Sequence, residues 1–228
     1  MRVPAIVYHQ AGMTIVRHPA LIIINGRGGD KSSWYAVWAG LLYARGGAVV
    51  LTYDPLGEFE RNWQKKSGTR QAETDLGSAE MARRLSALAL QDVLQGARYL
   101  AGRTDVDPKG IAVIGMVKDA NLTEQACAEE KSLRLCVAEG GLSKPVAVQL
   151  NEKLKFPNWT KKKILAMSEA KTPDGGMALS TDIPAVPRDD LRALPDLLWQ
   201  AEQDNYVFES WRARAKEAMT RASPPGRP

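Results

Sequence analysis

Two glycine-bearing stretches hold most of the residues that could do chemistry. Asn25-Gly26-Arg27-Gly28-Gly29-Asp30-Lys31-Ser32 follows one apolar run, and Gly115-Met116-Val117-Lys118-Asp119 follows another. Glycines directly after a strand let backbone N–H groups approach a developing negative charge, so Gly26, Arg27 and Gly28 are candidate oxyanion or pocket residues. A plain tight turn explains the same glycines. A phosphate-gripping loop would need glycine directly before its lysine; Asp30 stands there, and its carboxylate would repel the phosphates. Nor does the glycine spacing suit a dinucleotide. Asp54, closing a second apolar run, is a further pocket candidate, with turn formation beside Pro55 as its plainer role. Lys118 could face an anion, and Asp119 suits a helix N-cap. Glu58, Glu60 and Arg61 either line a pocket mouth or pair on the surface.

Acid–base partners are scarce. The chain has two histidines, His9 and His18, both ahead of the first strong strand. A general base must lie within hydrogen-bond reach of its proton, and the plainer reading of both imidazoles is a solvated surface. Cys127 and Cys136 have neither a metal-ligand spacing nor a histidine to serve them. They are expected as buried structural thiols rather than nucleophiles, and free thiols fit a reducing compartment. The six tryptophans are scattered and read as packing anchors.

These residues need a scaffold, and the hydrophobic pattern supplies one. Residues 21–24 form a β-branched run of the kind buried on both faces of a parallel sheet. Ser32 and Ser33 can cap a helix over 34–44, which Gly46-Gly47 would end. Residues 48–53 make a second buried strand. Leu85, Leu88, Leu94 and Ala97 recur at helical spacing within a helix over 78–100. A turn at 105–108 precedes a third strand at 110–115, a helix over 121–130 and a fourth strand at 133–138. The opening residues through Tyr8 alternate like a strand. This alternation of strand and helix predicts an α/β fold: a mainly parallel sheet with helices on both faces, its ligands bound beyond the carboxyl ends of the strands. After Gly141 the pattern predicts helices over 145–154 and from 158 to about 167, a loop over 171–187 and a helix over 189–222 interrupted near Pro195. No further strand is expected. Residues 1–222 read as a single domain, with 1–141 as sheet core and 142–222 mainly helical, and 223–228 as a disordered tail.

Ile24-Asn25-Gly26-Arg27-Gly28-Gly29-Asp30-Lys31, Tyr53-Asp54-Pro55-Leu56-Gly57-Glu58-Phe59-Glu60-Arg61 and Asp105-Val106-Asp107-Pro108-Lys109-Gly110-Ile111-Ala112-Val113-Ile114-Gly115 together carry a family likeness. They resemble acetyl xylan esterase and dienelactone hydrolase-like members of the α/β-hydrolase superfamily. The likeness covers roughly residues 1–141 and continues more weakly over 144–159. It implies an α/β-hydrolase-like fold and, as ancestral reaction, hydrolysis of a carboxylic ester such as an acetylated carbohydrate. The departures fall at the chemical positions. Asn25-Gly26-Arg27 stands where the family reads His-Gly. Val117 stands at the serine of the Gly-x-Ser-x-Gly nucleophile elbow, and Asp119 at its second glycine. In such hydrolases an acid and then a histidine follow the nucleophile, yet no histidine follows His18. The chain passes from 140–143 straight to 144–146, leaving out the segment that would bear both partners and the last strands of a now reduced sheet.

The resulting expectation is an esterase-like protein with impaired catalysis and no intact triad, in effect a pseudoenzyme. One alternative is a non-catalytic protein holding a small ester or carboxylate through Arg27, the amides near Gly28, and Lys118. Another is a truncated or deletion-bearing product without independent function. No cofactor or metal is expected, and the oligomeric state is open. The 31 Lys+Arg against 26 Asp+Glu give a formal charge of +5. Much of that excess is clustered, as at Lys161, Lys162 and Lys163, and reads as a solvated helix face rather than a nucleic-acid surface. The longest apolar run, 20–24, is far too short to span a bilayer. With no secretory pattern at the N-terminus, the chain is expected to be soluble and cytoplasmic.

Overall fold

The computed structural model describes residues 3–12, 17–25, 29–61, 79–116, 120–138, 140–171 and 177–179. Its centre is strand β2 (His18–Ile24), buried along its whole length. A strand with no polar face needs cover on both sides and neighbours on both edges. Strand β3 (Val49–Tyr53) lies parallel on one edge and β4 (Val106–Gly115) on the other, so that Ile22 stands opposite both Leu51 and Val113. Strand β1 (Ala5–Tyr8) runs antiparallel along the outside of β3, and β5 (Leu133–Val137) runs parallel along β4, giving the order β1-β3-β2-β4-β5.

The strands' two-residue period sorts their side chains into two layers. Leu21, Ile23, Val50, Ala112 and Ile114 meet helices α1 (Trp34–Arg45), α4 (Lys144–Leu154) and α5 (Lys161–Ala166). Ala20, Ile22, Ile24, Leu51 and Val113 meet α2 (Ala79–Ala101) and α3 (Ala120–Glu129) on the opposite face. The predicted α/β architecture is therefore present: a five-stranded, mainly parallel sheet with helices on both sides.

Local chemistry explains most boundaries. Ser33 is the N-cap of α1, but its hydroxyl accepts from the Asp30 amide rather than from the helix, while Ser32 N donates to Asp30 Oδ1. Gly47, at φ 92°, takes the left-handed turn that carries the chain from α1 into β3. Thr160 caps α5 by accepting from Lys163 N. Pro19 would cost a central strand a ladder bond; it falls where the register of β2 against β4 breaks, between His18 and Ala20. The partner residues jump there from Val106 to Ile111, and Lys109 N donates to Asp107 Oδ1. The turn expected at 105–108 thus lies within an irregular start to β4 instead of before it.

Past β5 the sequence expectation needs correcting. A small antiparallel pair, β6 (Glu169–Lys171) and β7 (Met177–Leu179), occupies part of the segment read as loop. Leu179 and Ala178 are buried, Leu179 N donates to Leu142 O, and Trp38 Nε1 donates to Leu179 O. Strands of three residues are too short to show a period, which is why the pattern missed them. Nearby, Tyr43 packs against Phe156 and Trp159 with ring centroids 5.8 Å away in both cases, and its hydroxyl donates to Gly141 O. Burial pushes that hydroxyl's pKa up. The helix expected over 189–222 and the tail 223–228 lie outside the described residues.

The two cysteines also depart from expectation. Cys127 on α3 and Cys136 on β5 are joined in a disulfide, with Cα atoms 6.3 Å apart. Neither is a free thiol. The pairing depends on β5 doubling back under α3, which residue spacing alone does not reveal. Among the described residues no helix is long and apolar enough to cross a membrane.

Gly115 ends β4 where three elements converge. A Cβ there would stand 2.5 Å from Ala138 O and 2.9 Å from Thr123 Oγ1. Gly115→Ala should destabilise the fold by about 1–3 kcal/mol through overpacking. Urea denaturation checks this; an unchanged midpoint would mean that α3 and the end of β5 yield without cost.

Candidate functional site

The parallel strands deliver Asn25, Asp54 and Met116 to one edge of the sheet. Met116 N donates to Ile24 O at 3.2 Å, so β2 and β4 end side by side. Of the residues singled out in the sequence, Gly26, Arg27, Gly28, Val117, Lys118 and Asp119 lie outside the described residues. Their flanks are described: Asn25 and Gly29 are buried on either side of the first loop, and Met116 is buried at the start of the second.

Asn25 is fully buried. Its amide nitrogen donates to Tyr53 O at 2.8 Å and to Thr52 Oγ1 at 3.0 Å. A carbonyl only accepts, so the Tyr53 contact fixes which end of the amide points where. Among the described residues Asn25 Oδ1 has no hydrogen-bond partner. A buried acceptor in that state costs free energy comparable to a lost hydrogen bond.

Asp54 is fully buried and held from four directions. Its oxygens accept from Lys31 N at 3.2 Å, from Lys31 Nζ at 2.5 Å and from Glu60 N at 3.4 Å, while its carbonyl accepts from Arg61 Nη1 at 3.1 Å. The Lys31 ammonium also reaches Glu60 Oε1 and lies 4.4 Å from the Phe59 ring centroid. The Lys31 and Asp54 side chains are 9% and 0% exposed, whereas that of Glu60 is 55% exposed. The buried pair therefore dominates, because a solvated partner adds little. Burial pushes the Asp54 carboxyl's pKa up and Lys31 pulls it down, with burial the larger influence.

The turn after β3 is shaped by these contacts. Gly57 has φ 87° and Phe59 has φ 40°. A non-glycine residue in that region costs on the order of 1 kcal/mol, and the Lys31 ammonium over its ring helps to hold it there. Arg61 continues the network to Asp92 on α2 through a buried ion pair at 2.5 Å. Asp54 and Arg61 thus act as internal struts between elements, and Glu58 is buried as well. Sequence reasoning did not single out Asn25 as a buried acceptor, nor Lys31 and Asp92 as ion-pair partners. An Asn closing an apolar run was the only available signal, and the two ion pairs need the tertiary fold to be seen.

The histidines stand at the other edge. His18 opens β2, and β1, being antiparallel, delivers Tyr8 and then His9 beside the start of β3. His9 is exposed, as expected of a solvated imidazole. His18 is not: it is buried, and Nδ1 donates to Gly47 O at 3.0 Å. That bond places a proton on Nδ1, and Nε2 is buried with no hydrogen-bond partner among the described residues. Among the described residues no cluster of three His, Cys, Asp or Glu side chains could hold a metal ion.

No family model matches the chain, and no curated protein matches it. Solved structures do. A putative acetyl xylan esterase from Bacteroides fragilis is similar at 14% identity and a TM-score of 0.45, over 57% of this chain and 39% of that one. Acetyl xylan esterase 1 from Thermoanaerobacterium sp. gives 19% identity and a TM-score of 0.44, over 59% and 42%. The alpha/beta hydrolase GrgF from Penicillium sp. gives 17% and 0.41, over 86% and 68%. The chain therefore covers less than half the length of the two acetyl xylan esterases. Likeness at this level carries no conclusion about chemistry.

Lys31→Met should leave Asp54 as an unpaired buried carboxylate and cost about 3–5 kcal/mol at neutral pH. The sign of its pH dependence follows from linkage. Without the ammonium the folded-state pKa of Asp54 lies further above its ordinary 3.8. Protonated Asp54 then favours the fold, fully so below the ordinary value, and this benefit is lost as pH rises through the folded-state value. Denaturation midpoints should show a smaller penalty near pH 4 than at pH 8, and Lys31→Met with Asp54→Asn should recover part of the loss. A penalty independent of pH would mean that the ion pair is not its source.

Proposed function

We propose that this chain is an α/β-hydrolase-fold relative of carboxylic ester hydrolases, of the acetyl xylan esterase kind, that has lost the serine–histidine route to ester hydrolysis. The observation that carries this reading is the position of the two histidines. Six strand residues separate His18 from the carboxyl end of β2, a distance of about 20 Å. A general base has to come within about 3 Å of its proton. His18 also holds its Nδ1 proton on Gly47 O from a buried position, and His9 leaves β1 at the same far edge. Val117, where the resemblance places the serine, has no nucleophilic atom. Neither of the chain's two histidines thus stands at the strand-end edge to serve as a base of the triad kind. The likeness of its motifs to esterases supports the ancestry; it does not supply the reaction.

What remains at that edge suits binding. The buried Asn25 Oδ1 lacks a donor among the described residues, and the sequence adds Arg27, the amides near Gly28, and Lys118 as groups for a small ester or carboxylate. Lys31 neutralises the buried Asp54, so that carboxylate does not strongly oppose an anion.

Turnover of a short-chain nitrophenyl ester by the purified chain and by Val117→Ser tests the catalytic half of the reading. Both should match buffer hydrolysis. Clear turnover by the unmodified chain would overturn it, and turnover confined to Val117→Ser would show that a base does lie within reach. For the binding half, millimolar acetate, propionate or a short ester should raise the melting temperature by preferential binding to the fold, and Arg27→Ala should abolish the rise. No stabilisation by any of them would remove the ligand.

A further inference from the structure

The disulfide sits at an informative place. Cys127 and Cys136 are the two cysteines of the chain, so oxidation can give one intramolecular bond and no reshuffled isomer. Both are half-buried, Cys136 on β5, the last strand of the sheet among the described residues. A small thiol can therefore approach them, unlike a bond sealed in a core. Exposed disulfides are the ones that exchange readily.

The bond also adjoins the tightest packing at the strand-end edge. Thr123 is four residues before Cys127, hence on the same face of α3, and Ala138 is two residues after Cys136. Thr123 Oγ1 and Ala138 O are the two atoms that press on Gly115. The disulfide thus joins the two walls that enclose the end of β4. With the bond in place, α3 is held covalently against β5. Once it is cut, α3 is held on the sheet by non-covalent packing alone, with Ala126 and Leu122 in the second layer and Thr123 against the end of β4 among its contacts.

We infer that Cys127 and Cys136 form a reversible redox clamp that sets how firmly α3 is held over the end of β4. Reduction is thiol–disulfide exchange with a monothiol of the glutathione class or with a dithiol. A reductant thiolate attacks one Sγ, and the other leaves as thiolate and takes up a proton. A second reductant thiol then displaces the mixed disulfide. Two electrons and two protons pass to the chain, and the reductant departs as its own disulfide. The clamp does not depend on the functional reading above.

The test uses the whole purified chain in glutathione buffers from fully oxidised to fully reduced. Maleimide labelling read by mass should show one transition between no free thiol and two. Hydrogen exchange over residues 120–129 should quicken about tenfold or more on reduction, as expected for a helix that opens locally. Exchange over 18–24 and 49–53 should not change. Cys127→Ser with Cys136→Ser should show the reduced pattern in every buffer. If that variant does not fold, the unmodified chain still decides the matter. Two labelled thiols in oxidised buffer would overturn the clamp. So would a bond that survives reduced glutathione while the chain is native, or reduction that leaves exchange over 120–129 unchanged.

Discussion

The whole architecture answers to the burial of β2. Seven consecutive residues, His18–Ile24, have no solvent-facing side. Such a strand satisfies its backbone only with a neighbour on each edge, and its side chains only with a helical layer on each face. β3 and β4 provide the edges, and the two-residue period divides Leu21 and Ile23 from Ala20, Ile22 and Ile24 between the layers. Pro19, which cannot donate to the ladder, is tolerated because the register breaks beside it. Even the first histidine after β1 is placed by this logic, since an antiparallel edge strand ends where its parallel neighbour begins.

From that constraint the strand-end edge inherits its character. Parallel strands bring Asn25, Asp54 and Met116 to one side, and the chain uses the polar ones to fasten itself. Asp54 accepts from two backbone amides and an ammonium and offers its own carbonyl to Arg61, whose guanidinium reaches Asp92 on α2. A carboxylate so occupied is poorly placed to attack or to take a proton. The acceptor left over, Asn25 Oδ1, is suited to receiving a donor and has no covalent chemistry of its own.

The legible part of the fold was the part written in contiguous residues. The runs at 21–24, 48–53 and 110–115 and the amphipathic helix over 78–100 announced themselves because burial acts on neighbours in sequence. What escaped needed contacts between distant residues. Lys31 finds Asp54 only after β2 and β3 lie side by side, Cys127 finds Cys136 only after β5 returns beneath α3, and His18 is buried because the Gly47 carbonyl waits beside it. β6 and β7 escaped for another reason: β7 is tied through Leu179 to Leu142 and Trp38, β6 pairs with β7, and a pattern of three residues has no period. At the candidate site, the absence of any histidine after His18 was legible from residue type alone, while the self-satisfied ion pairs were not.

The placement of β2 between a near and a distant neighbour has a consequence for how the chain can change in length. Ile22 meets Leu51 and also Val113, so closing the two pairings means closing loops of about 30 and about 90 residues, which differ by only about 1 kcal/mol of chain entropy. Distance along the sequence is therefore a weak constraint on the stretch between Arg61 and Ala79. Insertions or deletions there would be thermodynamically cheap so long as α2 still hands the chain to the start of β4. The connection from β2 through α1 to β3 has no such freedom, because Gly47 turns directly from helix to strand while its carbonyl serves His18.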